Sequence, residues 1–173
     1  MSDKKNEVLD WLKVILIALA ISFILNNFVI VNAQVPTASM ENTVMTHDRV
    51  FAFRLSYLFS DPKRGDIVIF PFPDDESQTY LKRIIGLPGE TVEIKDGKVY
   101  INNSKEPLQE DYLKEKPVGD YGPYKVPEDS YFMLGDNRNI SLDSRYWKNT
   151  FVSKDKILGK VILRYYPSFK LLK

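Results

Sequence analysis

The chain has 173 residues with no cysteine and one histidine, and its 24 basic and 23 acidic residues leave a net charge of +1. The absence of cysteine excludes disulfides, thiolate zinc sites and a cysteine nucleophile, and a single histidine excludes a histidine-rich metal site. The acidic residues form no cluster with metal-ligand spacing, and the balanced charge gives no reason to expect a nucleic-acid partner. We therefore expect one modest domain without cofactor, metal or nucleic acid.

The first predicted element is a mostly apolar stretch at residues 11–31. A helix that spans a bilayer needs about 20 such residues. Lys4, Lys5 and Lys13 flank the near side of the stretch, and the next basic residue is Arg49. Because positive charge favours the cytoplasmic side, we predict a single-pass protein of the cell membrane. Its parts are a cytoplasmic segment at 1–10, a transmembrane anchor in the lipid bilayer at 11–31 and an extracytoplasmic domain at 32–173.

Two alternatives to a retained anchor stay open. The stretch could be a signal peptide cleaved after Ala33, although Asp3, Glu7 and Asp10 dilute the positive charge that such a peptide carries. Cleavage there would also leave Ser39 close to the new terminus. A buried helix of a soluble core is the weakest option, because the unbroken apolar stretch lacks a polar face.

Beyond the anchor, the sequence alternates between strand-like runs and turns. The pair Asp96-Gly97 lies between two alternating runs and is typical of a two-residue hairpin turn. Residues 103–129 contain four prolines and much charge, and we expect an irregular excursion there. The pattern predicts a mostly β domain, with strands at 49–54, 67–70, 79–85, 91–95, 98–102, 131–134 and 159–165.

Residues 51–59 are rich in aromatic and apolar side chains. Such a stretch fits either the core of the domain or a face that rests on the membrane beside the anchor. Both hold if part of the stretch packs inwards while the rest meets the bilayer.

Ser39 and Lys82 form a candidate catalytic pair. A serine nucleophile needs a base, which is usually histidine. A lysine can serve if burial among apolar side chains lowers its pKa from about 10.4 to about 7–8. Strand alternation places Lys82 on one face with Tyr80 and Ile84, which are neighbours of that kind. The alternative base is the one histidine, His47, in a turn-like stretch.

Four blocks of the chain resemble bacterial type I signal peptidases, which are membrane-anchored serine proteases that remove signal peptides from exported proteins. Their order and spacing also agree with that family, over a match that runs from the anchor to about residue 165. The resemblance implies a signal-peptidase-type β protease domain with one N-terminal transmembrane helix, in the compact form typical of Gram-positive bacteria. The four blocks are Ala38-Ser39-Met40, Arg64-Gly65-Asp66-Ile67-Val68, residues 81–89 and residues 135–145.

The same resemblance implies roles for the residues of the site. Ser39 is the expected nucleophile and Lys82 the expected general base, and Ser141 is expected to form a hydrogen bond with the Lys82 amine and orient it. The Ser39 backbone N–H and the Thr37 hydroxyl are the expected oxyanion donors. An ion pair between Asp143 and Arg145 is expected to support the site.

The expected substrate is the signal peptide of an exported pre-protein, bound in extended form against strand edges at 34–37 and 79–81. Shallow pockets there would admit small side chains and give an Ala-x-Ala preference. Asn42 stands where the family commonly has proline, a change that removes no chemical group. The sequence specifies no oligomeric state. The expected substrate-binding residues are Gln34, Val35, Pro36, Thr79, Tyr80 and Leu81.

Two other classes of protein compete with this interpretation. One is a self-cleaving repressor of the SOS type, which shares a Ser/Lys pair but is normally soluble or carries a DNA-binding module. The other is a membrane-anchored β domain that binds peptides without cleaving them. The anchor argues against the first class, and the complete set of family positions argues against the second.

Overall fold

The computed structural model of the protein describes residues 2–172, with side-chain surroundings for Glu7 and for residues 9–172. Helix α1 spans Ser2–Ile24 and continues as a π-helical turn at Leu25–Val29. The segment Leu9–Val29 is 21 residues long and apolar enough to cross a membrane, and none of its most apolar window is buried in the protein. The side chains of Lys4 and Lys5, on which the predicted orientation depends, lie outside the described residues, as do Met1 and Lys173.

Two asparagines interrupt the apolar stretch without ending the helix. The Asn26 side chain donates to the Ser22 hydroxyl at 3.3 Å, and the Asn27 side chain donates to the Phe23 carbonyl at 2.8 Å. The polar groups are therefore satisfied one turn back. The predicted anchor differs from the structure at its far end, because the helical turn ends at Val29 and the residues after it are paired in a sheet.

Residues 2–172 form 11 strands, most of which the sequence predicts. Four strands were not predicted: the short strands β9 and β11, β7 inside the predicted irregular excursion, and β1, which overlaps the predicted strand edge at 34–37 only at Gln34. The strands are β1 Ile30–Gln34, β2 Arg49–Phe53, β3 Ile67–Phe72, β4 Asp75–Gly86, β5 Thr91–Lys95, β6 Lys98–Ile101, β7 Tyr121–Lys125, β8 Ser130–Leu134, β9 Val152–Ser153, β10 Gly159–Tyr166 and β11 Lys170–Leu171.

The strands form two antiparallel sheets, and the mostly β fold class is confirmed. The larger sheet has the strand order β1-β2-β10-β3-β4-β8-β9, with β11 beside β10, and the smaller has the order β6-β5-β7. The predicted hairpin joins β5 and β6, where Asp96 and Gly97 both have positive φ. A side chain at Gly97 would meet the Pro117 carbonyl oxygen at 2.0 Å, so this turn requires glycine.

Two strand edges lie open near the site that the sequence predicts. Strand β1 pairs with β2 on one side and ends the sheet on the other. Strand β4 pairs with β3 along most of its length, but its pairing with β8 begins only at Arg83. Residues 75–82 therefore present one unpaired edge among the described residues, and unpaired strand edges accept extended peptides.

The aromatic stretch at 51–59 divides between the two predicted environments. Phe51 stacks on Tyr165 with ring centroids 4.2 Å apart, and Ala52 is buried in the core. Leu58 and Phe59 lie on the surface, where Phe59 is 96% exposed. The inner half of the stretch is core, and contact of the outer half with a membrane stays a prediction.

Candidate active site

Ser39 lies in a short 3₁₀ turn, Ala38–Met40, that follows the extended residue Thr37. Completely buried side chains of Met40 and Val44 hold this turn against the core, and the Val44 N–H donates to the Met40 carbonyl at 2.9 Å. The Thr37 hydroxyl donates to Ser39 Oγ at 3.3 Å. The serine hydroxyl is thus presented from a fixed backbone, and the expected oxyanion role of Thr37 stays a prediction.

Lys82 reaches Ser39 from strand β4. Its Nζ donates to Ser39 Oγ at 2.7 Å, and the residue is only 4% exposed. Burial lowers the pKa of Lys82 from 10.5 to about 8, against the opposing effect of the nearby Asp143 and Asp136 carboxylates. The Tyr80 ring lies 5.3 Å from the amine on the predicted shared face. The two residues therefore meet as expected, and about a tenth of the amine is neutral at pH 7, far more than for a lysine of ordinary pKa.

Ser141 lies beside the pair but does not make the predicted hydrogen bond to Lys82. It is buried, and among the described residues its Oγ has no hydrogen-bond partner, while the Lys82 amine donates to Ser39. A Cβ added at Gly135 would lie 2.1 Å from Ser141 Oγ and 2.5 Å from the Ser39 carbonyl oxygen. Glycine at 135 is therefore what allows the Ser141 loop to approach the nucleophile.

The predicted ion pair between Asp143 and Arg145 is confirmed. Arg145 donates to the two carboxylate oxygens at 2.8 and 2.9 Å, and both side chains are almost completely buried. The Asp143 carboxylate also accepts the Gly135 N–H at 3.0 Å, and Arg145 donates to the Arg138 carbonyl at 2.6 Å. The pair thus fixes the backbone of the loop that carries Ser141.

A second buried ion pair was not predicted from the sequence. Arg83 donates to the two Asp136 oxygens at 2.8 and 2.6 Å, and the Thr43 hydroxyl donates to the same carboxylate at 2.5 Å. Next to it, the Asn137 N–H donates to the Ser39 carbonyl at 3.0 Å. These contacts join the serine turn, strand β4 and the loop after β8. In the sequence their one signal is a charged residue inside an apolar run, next to Lys82.

The excursion at 103–129 also contributes to the site, which its composition did not indicate. Glu110 forms a buried ion pair with Arg138, and the Tyr112 hydroxyl donates to Glu110 at 2.7 Å. The Tyr112 ring lies 3.9 Å from the Arg83 guanidinium carbon. An apparently irregular segment therefore covers both buried arginines that flank the catalytic pair.

A cleft of about 560 Å³ opens over the catalytic pair. Its walls come from the end of β1 with the following turn and from the unpaired edge of β4. The structure brings every predicted substrate-binding residue to this cleft, together with Ser39 and Lys82. These residues are Gln34, Val35, Pro36, Thr79, Tyr80 and Leu81.

His47, the alternative base, lies apart from this chemistry. Its side chain is exposed, and its backbone N–H donates to the Val35 carbonyl at 2.8 Å in a turn with positive φ. The hydroxyl of Ser39 contacts Lys82 and Thr37 instead. The geometry thus favours the lysine.

Comparison with known proteins agrees with this geometry. Residues 8–166 match the family described as signal peptidase, peptidase S26. A probable signal peptidase I-2 from Synechocystis sp. is 39% identical over 96% of this chain and 77% of its own length. Signal peptidase I from Bacillus amyloliquefaciens is 40% identical over 96% of this chain and 92% of its own length.

A solved structure of a signal peptidase I has a similar fold. The crystal structure of a signal peptidase I from Enterococcus faecalis matches with a TM-score of 0.51 and 40% identity, over 58% of this chain and 97% of that one. The chain therefore belongs to the signal peptidase family, peptidase S26, and is a serine endopeptidase.

Proposed function

We propose that this endopeptidase cleaves signal peptides from exported pre-proteins after an Ala-x-Ala-like site, with Ser39 as nucleophile and neutral Lys82 as general base. The observation that carries the proposal is the 2.7 Å contact between Lys82 Nζ and Ser39 Oγ at a lysine whose pKa burial lowers to about 8. A neutral amine this close to a hydroxyl can remove its proton.

The proposed reaction has two stages, acylation of Ser39 and hydrolysis of the acyl ester. As Ser39 Oγ bonds to the scissile carbonyl carbon, its proton moves to the Lys82 amine. The Lys82 ammonium then gives that proton to the leaving amine as the C–N bond breaks, which leaves an acyl ester on Ser39. Water activated by the neutral Lys82 hydrolyses the ester and restores the enzyme.

The negative oxygen of the tetrahedral intermediate needs donors that are fixed in advance. The Ser39 backbone N–H and the Thr37 hydroxyl are the expected donors. Thr37 already donates to Ser39 Oγ, so its hydroxyl lies within reach of the atoms that react. Turning from Oγ to the developing oxyanion would give it a bond that exists only during the reaction.

Substrate recognition follows from the two open strand edges. An extended peptide that enters the cleft can add its backbone hydrogen bonds to the edge of β4 at 79–81 and to residues 34–37, which begin at the last residue of β1 and end at the extended residue Thr37. Val35 is buried and Leu81 half-buried in the cleft wall. These apolar side chains leave shallow pockets, which suit alanine better than large side chains.

The apolar helix is the proposed anchor, and the lysines before it favour a cytoplasmic N-terminus with the domain on the outer side. The helix leads into β1 and then into the serine turn with few intervening residues. The cleft would thus lie near the outer membrane surface, where signal peptides emerge.

The direct test is cleavage of a pre-protein with an Ala-x-Ala site by the full chain in detergent or lipid. Ser39→Ala and Lys82→Ala should each lower kcat/KM by about 10³-fold or more. His47→Ala is the matched control and should keep nearly full activity, because His47 is exposed. Full activity in either dyad variant, or a large loss in the histidine variant, would overturn the assignment.

A further inference from the structure

A second cavity, of about 580 Å³, lies outside the catalytic cleft and shares none of its lining residues. One wall is the 3₁₀ turn Arg54–Tyr57 that follows β2, and the other is formed by the segment around β9. The polar and charged residues that line it are Arg54, Tyr57, Asp129, Ser153, Lys154 and Asp155.

Arg54 is the unusual residue of this cavity. Its Nε is buried and has no hydrogen-bond partner among the described residues. The other six arginines of residues 2–172 each contact a carboxylate or an aromatic ring, as Arg64 does with Glu90 and Arg49 with Tyr166. A buried guanidinium donor without a partner is costly. Its presence beside an open cavity therefore points to an anionic ligand.

The cavity lies beside the outer end of the apolar helix. The turn that contains Arg54 packs against the π-helical turn Leu25–Val29 that ends this helix. Leu58 lines the cavity while being 63% exposed, and the following Phe59 is also exposed. An arginine flanked by exposed apolar side chains at the end of a membrane span lies at the level of the lipid headgroups.

The remaining charged residues of the cavity limit the charge that a ligand can carry. Lys154 is paired with Asp61, whereas Arg54 forms no ion pair among residues 2–172. Asp129 and Asp155 also line the cavity and add negative charge. This balance favours a ligand with one negative charge over a doubly charged one. A guanidinium binds two phosphate oxygens through its planar fork, and a lipid phosphodiester carries one negative charge.

We propose that this cavity binds the phosphodiester headgroup of a phospholipid of the outer leaflet, with Arg54 as its main contact. The assignment of the phosphate to a lipid depends on the proposed membrane placement of the domain. The binding of a phosphodiester by Arg54 does not depend on it. The site would fix the height and tilt of the catalytic domain above the bilayer.

The test is a binding titration of the full-length Ser39→Ala protein in a maltoside detergent. The probe is dihexanoylphosphatidylglycerol, followed by phosphorus NMR line broadening. Saturable binding is expected, and Arg54→Gln should weaken it by about tenfold, in keeping with the loss of a charged hydrogen-bonding partner. Arg49→Gln is the matched control with unchanged affinity, because Arg49 lies outside the cavity over the Tyr166 ring.

Three outcomes would overturn the proposal: no saturable binding, equal affinity in Arg54→Gln, or inorganic phosphate binding as tightly as the lipid. If Arg54→Gln does not fold, Arg54→Lys replaces it; this variant keeps the charge without the fork, and a several-fold loss of affinity is expected. Unchanged affinity in that variant would also count against the site. Because the protein lacks the proposed nucleophile, these outcomes do not depend on whether it cleaves signal peptides.

Discussion

The two faces of strand β4 carry two buried cations in very different surroundings. Lys82 and Arg83 are neighbours in sequence, and alternation along a strand directs them to opposite faces. Their exposed fractions are 4% and 3%. Arg83 meets the Asp136 carboxylate through two hydrogen bonds of 2.8 and 2.6 Å, whereas Lys82 meets the Ser39 hydroxyl at 2.7 Å.

This difference in partner explains the difference in chemistry. A buried guanidinium beside a carboxylate stays charged and joins segments of the fold. A buried amine without a carboxylate in contact loses its proton readily, and burial lowers the pKa of Lys82 to about 8. On one face of β4, the Arg83–Asp136 ion pair holds segments of the fold together. On the other face, Lys82 is the proposed base for Ser39.

The largest expected effect on activity comes from placing an arginine on both faces of β4. Lys82→Arg places a permanently charged group opposite Ser39, and a guanidinium cannot accept the serine proton. We expect kcat/KM for a pre-protein to fall by about 10³-fold or more, as in an alanine variant. The measurement is cleavage in detergent, with thermal unfolding as the check that the variant folds. Substantial activity in Lys82→Arg would show that the lysine is not the base.

Removing the partner of Arg83, on the opposite face of β4, should lower stability. Asp136→Asn removes the charge that compensates buried Arg83, and we expect a loss of about 3–5 kcal/mol in the free energy of unfolding. Denaturant unfolding of the full chain in detergent measures this loss. Glu93→Gln is the control, because Glu93 pairs with Lys95 on the surface and surface pairs contribute about 1 kcal/mol or less. Equal stability of the two variants would contradict the structural role of the pair.

Removing the amine should, by contrast, stabilise the protein. The pKa of Lys82 is lowered from 10.5 to about 8 in the folded state, a cost on the order of 3 kcal/mol at about 1.36 kcal/mol per unit. Lys82→Met removes this cost but also the hydrogen bond to Ser39, which contributes about 1 kcal/mol. We therefore expect a net gain of about 2 kcal/mol at pH 7, measured by denaturant unfolding.

The pH dependence of that gain has a definite sign. Below pH 8 the lysine is charged in both states, and the cost is complete. As the pH rises from about 8 towards 10.5, the folded protein has already lost the proton while the unfolded chain keeps it, so the cost disappears. The advantage of Lys82→Met should therefore shrink at high pH, and a gain that is independent of pH would contradict the burial argument.

A smaller effect is expected at Gly135, where the Ser141 loop approaches the nucleophile. Gly135→Ala places a Cβ 2.1 Å from Ser141 Oγ and 2.5 Å from the Ser39 carbonyl. We expect a loss of about 1–3 kcal/mol in stability, together with reduced kcat, because the loop must move away. The combined measurement is denaturant unfolding and cleavage of the same sample. Unchanged values in both would show that the loop is not closely packed against Ser39.

Local signals explain what the sequence could predict. The Asp96-Gly97 turn needs only two residues with positive φ, and an apolar run of about 20 residues is itself the signal for the anchor. The contact between Ser39 and Lys82 was expected from four motifs in family order, since no local pattern specifies it. Strand β7 was missed because Gly122 and Pro123 are poor strand formers, and they lie at the irregularity between Tyr121 and Tyr124, which pair with β5.

Long-range charge pairing explains what could not be predicted. Asp136 and Glu110 resemble ordinary loop residues in the sequence, yet the fold buries them against Arg83 and Arg138. The hydrogen bond expected between Ser141 and Lys82 is not formed, and the Lys82 amine donates to Ser39. The direction of a long, flexible side chain is set by the side chains packed around it, and a sequence motif does not specify these. Such pairings depend on which loops the sheets bring together, and composition does not contain that information.

The pH dependence of kcat/KM is the most direct test of the central claim, that burial makes Lys82 the base for Ser39. The full chain should show an ascending limb with an apparent pKa near 8, because the free enzyme is active only when this amine has lost its proton. An ascending limb near the ordinary lysine value of about 10.4, or a rate that does not depend on pH between 6 and 10, would contradict the account.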